Sequence, residues 1–248
     1  DTFNLDNDSD LDIFTTSVNS RTTTYANNGT GSFSPPKYPT AYSSGVSCAV
    51  AGDVDNDGDL DVVNSSYEEG KIFLYKKINA DNTYGNQIII SHIADGAKEV
   101  ALADLDGDND LDIISISGLS TSGSEDKVSW YKNLDGNGNF GSQINLPIDI
   151  YDSPDGLLVY DVDADGDKDI VTSITQWPED GDKVIWFSNN GLGSFGSEQF
   201  IGNVLNQVKS ISKSDIDNDG DNDIIVASSN DNKISWYKNL NEVLGVNK

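Results

Sequence analysis

The sequence predicts an all-β chain of repeated four-stranded antiparallel units, and three observations predict it. An acidic loop recurs five times, at intervals of 49, 51, 57 and 54 residues. Each loop runs straight into apolar, mostly β-branched residues, read in turn as "IF", "VV", "II", "IV" and "IIV". A second shared block then follows: "KIFLYK" from Lys71, "KVSWYK" from Lys127, "KVIWFS" from Lys183 and "KISWYK" from Lys233, with "TTTYAN" as its counterpart in the first repeat. Four antiparallel strands in a repeated unit of about 50 residues is the pattern of a β-propeller blade. An extended β-solenoid would need much shorter coils, and a sandwich would not repeat its sequence.

Each strand has its own reason. The first is the apolar stretch leading into the acidic loop, as in "VALAD", and the second leaves that loop. The third is the Trp/Tyr block, whose alternation suits a strand with two unlike faces. Asn/Gly turns such as "NNGTGSF", "LDGNGNF" and "NNGLGSF" come next. They open the fourth strand, as in "NQIIISHI". The chain therefore reads as one propeller domain over 1–248, with blades near 1–45, 46–95, 96–150, 151–205 and 206–248. Sequence order matches blade order, with "LNEVLGVNK" as a short fourth strand at the end. No strand is donated between the ends, so the five blades either close on themselves or form part of a larger ring.

Composition agrees and excludes several functions. Methionine is absent, mean hydropathy is −0.44, and no stretch has the period of a long amphipathic helix. The formal net charge of −27 repels nucleic acid and anionic membranes, which recruit Lys/Arg clusters. No run approaches a membrane span, and no signal peptide is present. The chain starts at Asp1 inside a repeat, which suggests a piece processed or excised from a longer, multidomain protein. Cys48 is the single cysteine, so an intramolecular disulfide is impossible, and its small apolar setting predicts a buried thiol.

Twenty-four of the 42 acidic residues lie in the five loops, and charge that local calls for a local counter-ion. Position 1 of the loops is Asn4, Asp53, Asp104, Asp161 and Asp215. Position 3 is Asp6, Asp55, Asp106, Asp163 and Asp217, and position 5 is Asp8, Asp57, Asp108, Asp165 and Asp219. Position 7 is Asp10, Asp59, Asp110, Asp167 and Asp221, expected to offer a backbone carbonyl. Position 9 is Asp12, Asp61, Asp112, Asp169 and Asp223. A chain curling round a hard cation can aim alternate side chains inward, while a glycine at position 6, such as Gly58, permits the sharp turn. About six oxygens per loop suit calcium, which takes 6–8, and up to five structural calcium ions are expected. Magnesium prefers to keep its waters, and one His and one Cys make zinc or copper implausible. Five divalent ions would bring the formal charge from −27 to −17. Two loops depart from the pattern: one has Gly107 at position 4 and Asn109 at position 6, the other Asn4 at position 1 and Ser9 at position 6. An EF-hand would carry a bidentate Glu at position 12, where this chain has Thr15, Asn64, Ser115, Thr172 and Val226.

These loops at this spacing resemble the FG-GAP/VCBS repeat family, whose calcium-loop blades also occur in integrin α-chain propellers. The resemblance covers essentially the whole chain. It implies a β-propeller with a structural calcium in the hairpin between the first and second strands of each blade, in rings that often have seven blades. The W-Y-K-N-x-x-G-x-G-x-F run resembles versions common in secreted proteins of Bacteroidetes-type bacteria. The closing "LGVNK" is similar to the linker before a type IX secretion sorting domain. A secreted or cell-surface location follows as an expectation.

Strand alternation puts the acidic hairpins and the third-to-fourth-strand turns on one face. The longer, more varied loops fall on the other, where recognition usually lives. Trp177, beside Pro178, could stack on a sugar ring, and Tyr42, Tyr67 and Tyr151 are similar candidates. The alternative for all four is a loop anchor packed on its own blade. Trp130, Trp186 and Trp236 recur at one blade position and are expected to pack between blades. Catalysis finds little support: His92 is the sole histidine, Arg21 the sole arginine, and no nucleophile or phosphate-loop motif is present. The favoured expectation is a non-catalytic module that binds a glycan or an extracellular protein. A domain of a secreted polysaccharide lyase or hydrolase, or a spacer in a surface protein, are the alternatives.

Overall fold

The computed structural model describes residues 2–6, 8–17, 21–79, 83–118, 126–148, 152–176 and 181–240. It is all-β, with five antiparallel sheets in chain order arranged as the blades of a propeller. Blade 1 comprises β1 (Thr2–Phe3), β2 (Asp12–Thr15) and β3 (Thr23–Tyr25). Blade 2 begins with β4 (Val46–Gly52), β5 (Asp61–Ser66) and β6 (Lys71–Tyr75). A small hairpin of β7 (Lys77–Asn79) and β8 (Thr83–Tyr84) precedes its last strand, β9 (Ile88–Ser91). Blade 3 is β10 (Ala97–Ala103), β11 (Asp112–Ser117), β12 (Lys127–Tyr131) and β13 (Ile144–Asn145). Blade 4 is β14 (Asp152–Tyr160), β15 (Asp169–Gln176), β16 (Asp182–Phe187) and β17 (Gln199–Leu205). Blade 5 is β18 (Val208–Ser214), β19 (Asp223–Ser228) and β20 (Lys233–Tyr237).

Blades 2, 3 and 4 thus have the four expected strands, whereas blades 1 and 5 have three among the described residues. In blade 1 the fourth-strand position falls on "SPPKYP". Three prolines there lack the N–H a ladder needs, and one isolated bridge, Thr24 to Lys37, is what forms. In blade 5 most of that position falls at 241–248, outside the described residues.

Neighbouring blades cover both faces of the middle strands. This is why β5 and β11 are buried at every residue, including the polar Asn64, Ser65 and Ser66 in one and Ser115 and Ser117 in the other. Four hydrophobic clusters fill the seams between successive blades. Trp130 and Trp186 each project from the third strand onto the next blade, as expected, and burying such side chains contributes roughly 1.5–3 kcal/mol apiece. Trp236 departs from the expectation. It is 48 % exposed, because among the described residues no following blade packs on the forward face of β20 as blade 5 packs on Trp186.

One regularity was not legible beforehand. The innermost strands of blades 2 to 5 each carry a bulge at the same register, at Ser47, Lys98, Asp155 and Lys209. In blades 2 and 3 the extra residue turns its side chain toward the next blade. Ser47 Oγ donates to the carbonyl of Ala97 at 2.6 Å, and Lys98 Nζ donates to that of Pro154 at 2.9 Å.

Candidate metal centres and the opposite face

The acidic loops close in the same way five times. The position-9 aspartate begins the second strand and is fully buried in every blade. One of its oxygens accepts the backbone N–H of position 2, from Leu5, Val54, Leu105, Val162 and Ile216. The other accepts the backbone N–H of the second residue after the third strand, Asn27, Lys77, Asn133, Asn189 or Asn239, at 2.8 Å each time. That residue also ties blades together. Asn133, Asn189 and Asn239 each donate Nδ2 to the position-2 carbonyl of the preceding loop, at 2.8, 2.7 and 2.9 Å. Lys77, fully buried, reaches the carbonyl of Leu5 with its ammonium at 2.9 Å. Sequence reasoning read this asparagine only as the start of a turn. Its recurrence after every third strand but one was the available signal.

The turn itself is left-handed where the spacing demands it. Position 6 has positive φ in all five loops: Ser9 +80°, Gly58 +88°, Asn109 +68°, Gly166 +100° and Gly220 +101°. Position 4 does too at Asn56, Gly107, Ala164 and Asn218. Folding back in this way brings backbone N–H groups onto the position-1 carboxylate. Asp53 accepts from Asp57 at 3.1 Å and from Gly58 at 2.9 Å, and Asp215 from Asp219 at 3.2 Å and Gly220 at 3.1 Å.

Four carboxylate triads result, each offering ligand atoms within 4.8 Å of one another: Asp53–Asp55–Asp57, Asp104–Asp106–Asp108, Asp161–Asp163–Asp169 and Asp215–Asp217–Asp223. Their fit to a cation rests on oxygen atoms that are buried and accept no hydrogen bond. Position 3 supplies them in four loops, as Oδ1 of Asp6, Asp55, Asp106 and Asp163, and position 1 supplies them in Asn4 and Asp161. A buried carboxylate oxygen without a donor is costly, and a hard cation is the partner such a set of oxygens suits. Burial likewise disfavours the charge at position 9 in blades 2, 3 and 4. It pushes Asp61 up to about 7, and Asp112 and Asp169 up to about 6, with the paired N–H donors offsetting only part.

Position 7 is turned elsewhere. Asp59 pairs with Lys77 at 2.8 Å, and Asp110 accepts Asn56 Nδ2 from the preceding loop at 2.8 Å. Asp10, Asp110 and Asp167 lie against Gly29, Gly136 and Gly191, glycines of the third-to-fourth-strand turns where any Cβ would collide with the carboxylate. The two kinds of turn therefore do share one face.

The residue immediately after the third strand is a lysine in three blades, and that lysine reaches the acids. Lys76 pairs with Asp55 at 3.2 Å. Lys132 pairs with Asp106 and, at 3.2 Å, with Asp108, and Lys238 pairs with Asp217 and, at 3.1 Å, with Asp219. Blades 1 and 4 carry Ala26 and Ser188 there instead.

On the opposite face, a cavity of about 370 Å³ opens between blades 2 and 3. It is lined by Val46, Cys48, Tyr67, Glu68, Lys98 and Glu99, among others. Tyr67 thus lines a cavity, while Tyr42 is exposed. Trp177 and Tyr151 lie outside the described residues. Glu99 accepts the N–H of Leu157 at 2.9 Å, and burial holds its carboxyl above the usual range. Cys48 is only partly buried, its Sγ 3.9 Å from the Val100 carbonyl, and burial raises its thiol. His92 stands exposed.

Residues 4–64 and 53–115 match the FG-GAP-like repeat family. Over those residues the propeller is built of FG-GAP-like repeats. No curated protein matches the sequence. Among solved structures, this chain is similar to a protein from Lactobacillus plantarum, at 10 % identity and a TM-score of 0.55 over 89 % of this chain and 61 % of that one. It is also similar to the V. cholerae biofilm matrix protein Bap1, at 16 % identity and a TM-score of 0.48 over 96 % of this chain and 36 % of that one. The chain thus spans less than two thirds of either. Among the described residues, no helix is long and apolar enough to cross a membrane.

Proposed function

We propose that this chain is a non-catalytic, extracellular propeller module whose acidic hairpins hold calcium, leaving the opposite face to bind a glycan or a protein. The observation that carries the calcium reading is the buried, donorless position-3 oxygen repeated at the same place in four loops. An all-protein set of oxygen ligands favours calcium over magnesium, which keeps several of its waters. The ions serve as structural counter-charges, since each loop joins the two inner strands of a blade. The cavity at Tyr67 supports recognition on the other face, because it combines an aromatic ring with polar groups on rigid strands.

Titration calorimetry with calcium, followed by melting with and without chelator, tests the first half. Calcium binding with a melting temperature lowered in chelator by more than about 5 °C is expected, given roughly 2.7 kcal/mol per site at a hundredfold excess over Kd. An unchanged melt and no bound ion would sink it. Glycan and protein arrays, run beside lyase and hydrolase assays, test the second. Binding without turnover, weakened by Tyr67→Ala, supports recognition, and turnover by the purified chain overturns it.

A further inference from the structure

We infer that the lysine immediately after the third strand is a tethered counter-cation that competes with the divalent ion, dividing the five loops into two classes. The inference rests on the calcium reading above. At position 5, Asp108 already spends Oδ1 on the N–H of Asp110 at 3.0 Å. Oδ2 is the oxygen left for an ion, and Lys132 holds it at 3.2 Å while also gripping Oδ2 of Asp106. Blade 5 repeats the arrangement: Asp219 Oδ1 takes the N–H of Asp221 at 3.1 Å, and Lys238 holds Asp219 Oδ2 at 3.1 Å together with Asp217. Lys76 is a partial version, touching Asp55 alone and sharing its ammonium with the carbonyl of Asn137.

The loops at Asn4 and Asp161 are built on the same turn, yet no lysine or arginine pairs with their acids among the described residues. An independent observation follows the same division. The two loops without the lysine each leave two buried oxygens without a hydrogen-bond donor, Asn4 and Asp6 in one, Asp161 and Asp163 in the other. Those at Asp53 and Asp104 leave one each, on Asp55 and on Asp106, whose side chain is only 7 % exposed. An ammonium supplies one positive charge and donor hydrogens. It therefore relieves the repulsion partly, and a divalent ion must displace it to reach position 5. Loops with the lysine hold their shape without metal and bind it weakly. Those without it bind tightly and open when the metal is removed.

The test uses the full chain with calcium alone, in titration calorimetry and in melts with excess chelator. The wild type should show a tighter class from the loops at Asn4 and Asp161 and a weaker class from the rest. Lys132→Met should move one site from weak to tight, by about tenfold, the scale of one neighbouring unit charge. It should also lower the melting temperature in chelator. Ser188→Lys should do the reverse at the Asp161 loop, and it keeps the test alive should Lys132→Met fail to fold. A Lys132→Met protein that binds calcium no more tightly, or more weakly, overturns the inference, as does a wild type with five equal sites. A wild type that binds no calcium removes the reading beneath it, and the inference falls with that reading.

Discussion

Blades 4 and 5 carry nearly the same third strand, "KVIWFS" and "KISWYK", yet only one of them is covered. Trp186 and Val184 are fully buried, while Trp236 is 48 % and Ile234 79 % exposed. The difference lies in the neighbour. Blade 5 lays Ile224, Val226 and Tyr237 over the forward face of blade 4, and among the described residues nothing equivalent lies over its own. The repeat therefore encodes half a seam at each position, and burial needs the complementary half from the following sheet. At the end that carries the acidic loops the two blades do not differ in this way, since Asn239 joins blade 5 to blade 4 just as Asn189 joins blade 4 to blade 3.

Truncating the two tryptophans separates the faces most sharply. Trp186→Ala removes the largest buried side chain of its seam and should cost about 3–5 kcal/mol. Trp236→Ala should stay within about 1 kcal/mol. Denaturant midpoints on the full chain measure both, and equal losses would show that the forward face of blade 5 is covered in solution. The asparagine staples come next. Asn189→Ala and Asn239→Ala should each cost about 1–3 kcal/mol, because each removes the amide that ties two blades; Asn189→Ala falls at the lower end, since the Leu105 carbonyl keeps the N–H of Gly193 at 3.0 Å. Near-equal costs confine the difference between the blades to the forward face. A negligible loss for Asn239→Ala would mean that blade 5 is loose at both ends.

Much of this was legible because the repeat exposes it. The "DxDxDG" spacing predicted the left-handed turn, and Gly58, Gly166 and Gly220 adopt it. Ser9 and Asn109, the departures from glycine, adopt it as well, since the fold of the loop outweighs the local cost. The first-strand bulges escaped because they depend on pairing register, which no residue type marks. The inter-blade asparagines escaped because an Asn before a glycine turn already has a local explanation. The lysines were part of the recurring "YK", but a strand pattern does not say that the last side chain bends back onto the preceding loop. The missing fourth strand of blade 1 could have been read from Pro35, Pro36 and Pro39, which leave too few N–H donors for a ladder.

The smallest expected effect again contrasts blades 4 and 5, this time inside the loop. Position 4 is Ala164 in one and Asn218 in the other, at nearly equal φ of +61° and +60°. Alanine has no side-chain group to compensate the left-handed backbone, whereas asparagine visits that region readily. Ala164→Gly should therefore stabilise the chain by about 0.5–1 kcal/mol, the strain relieved exceeding the freedom gained by the unfolded chain. Asn218→Ala should destabilise it by a similar amount. Both belong in denaturant titrations with and without calcium, because backbone strain persists when the ion is removed. If Ala164→Gly gains stability only with calcium present, the left-handed turn at position 4 is imposed by the metal, and the loop of blade 4 relaxes without it.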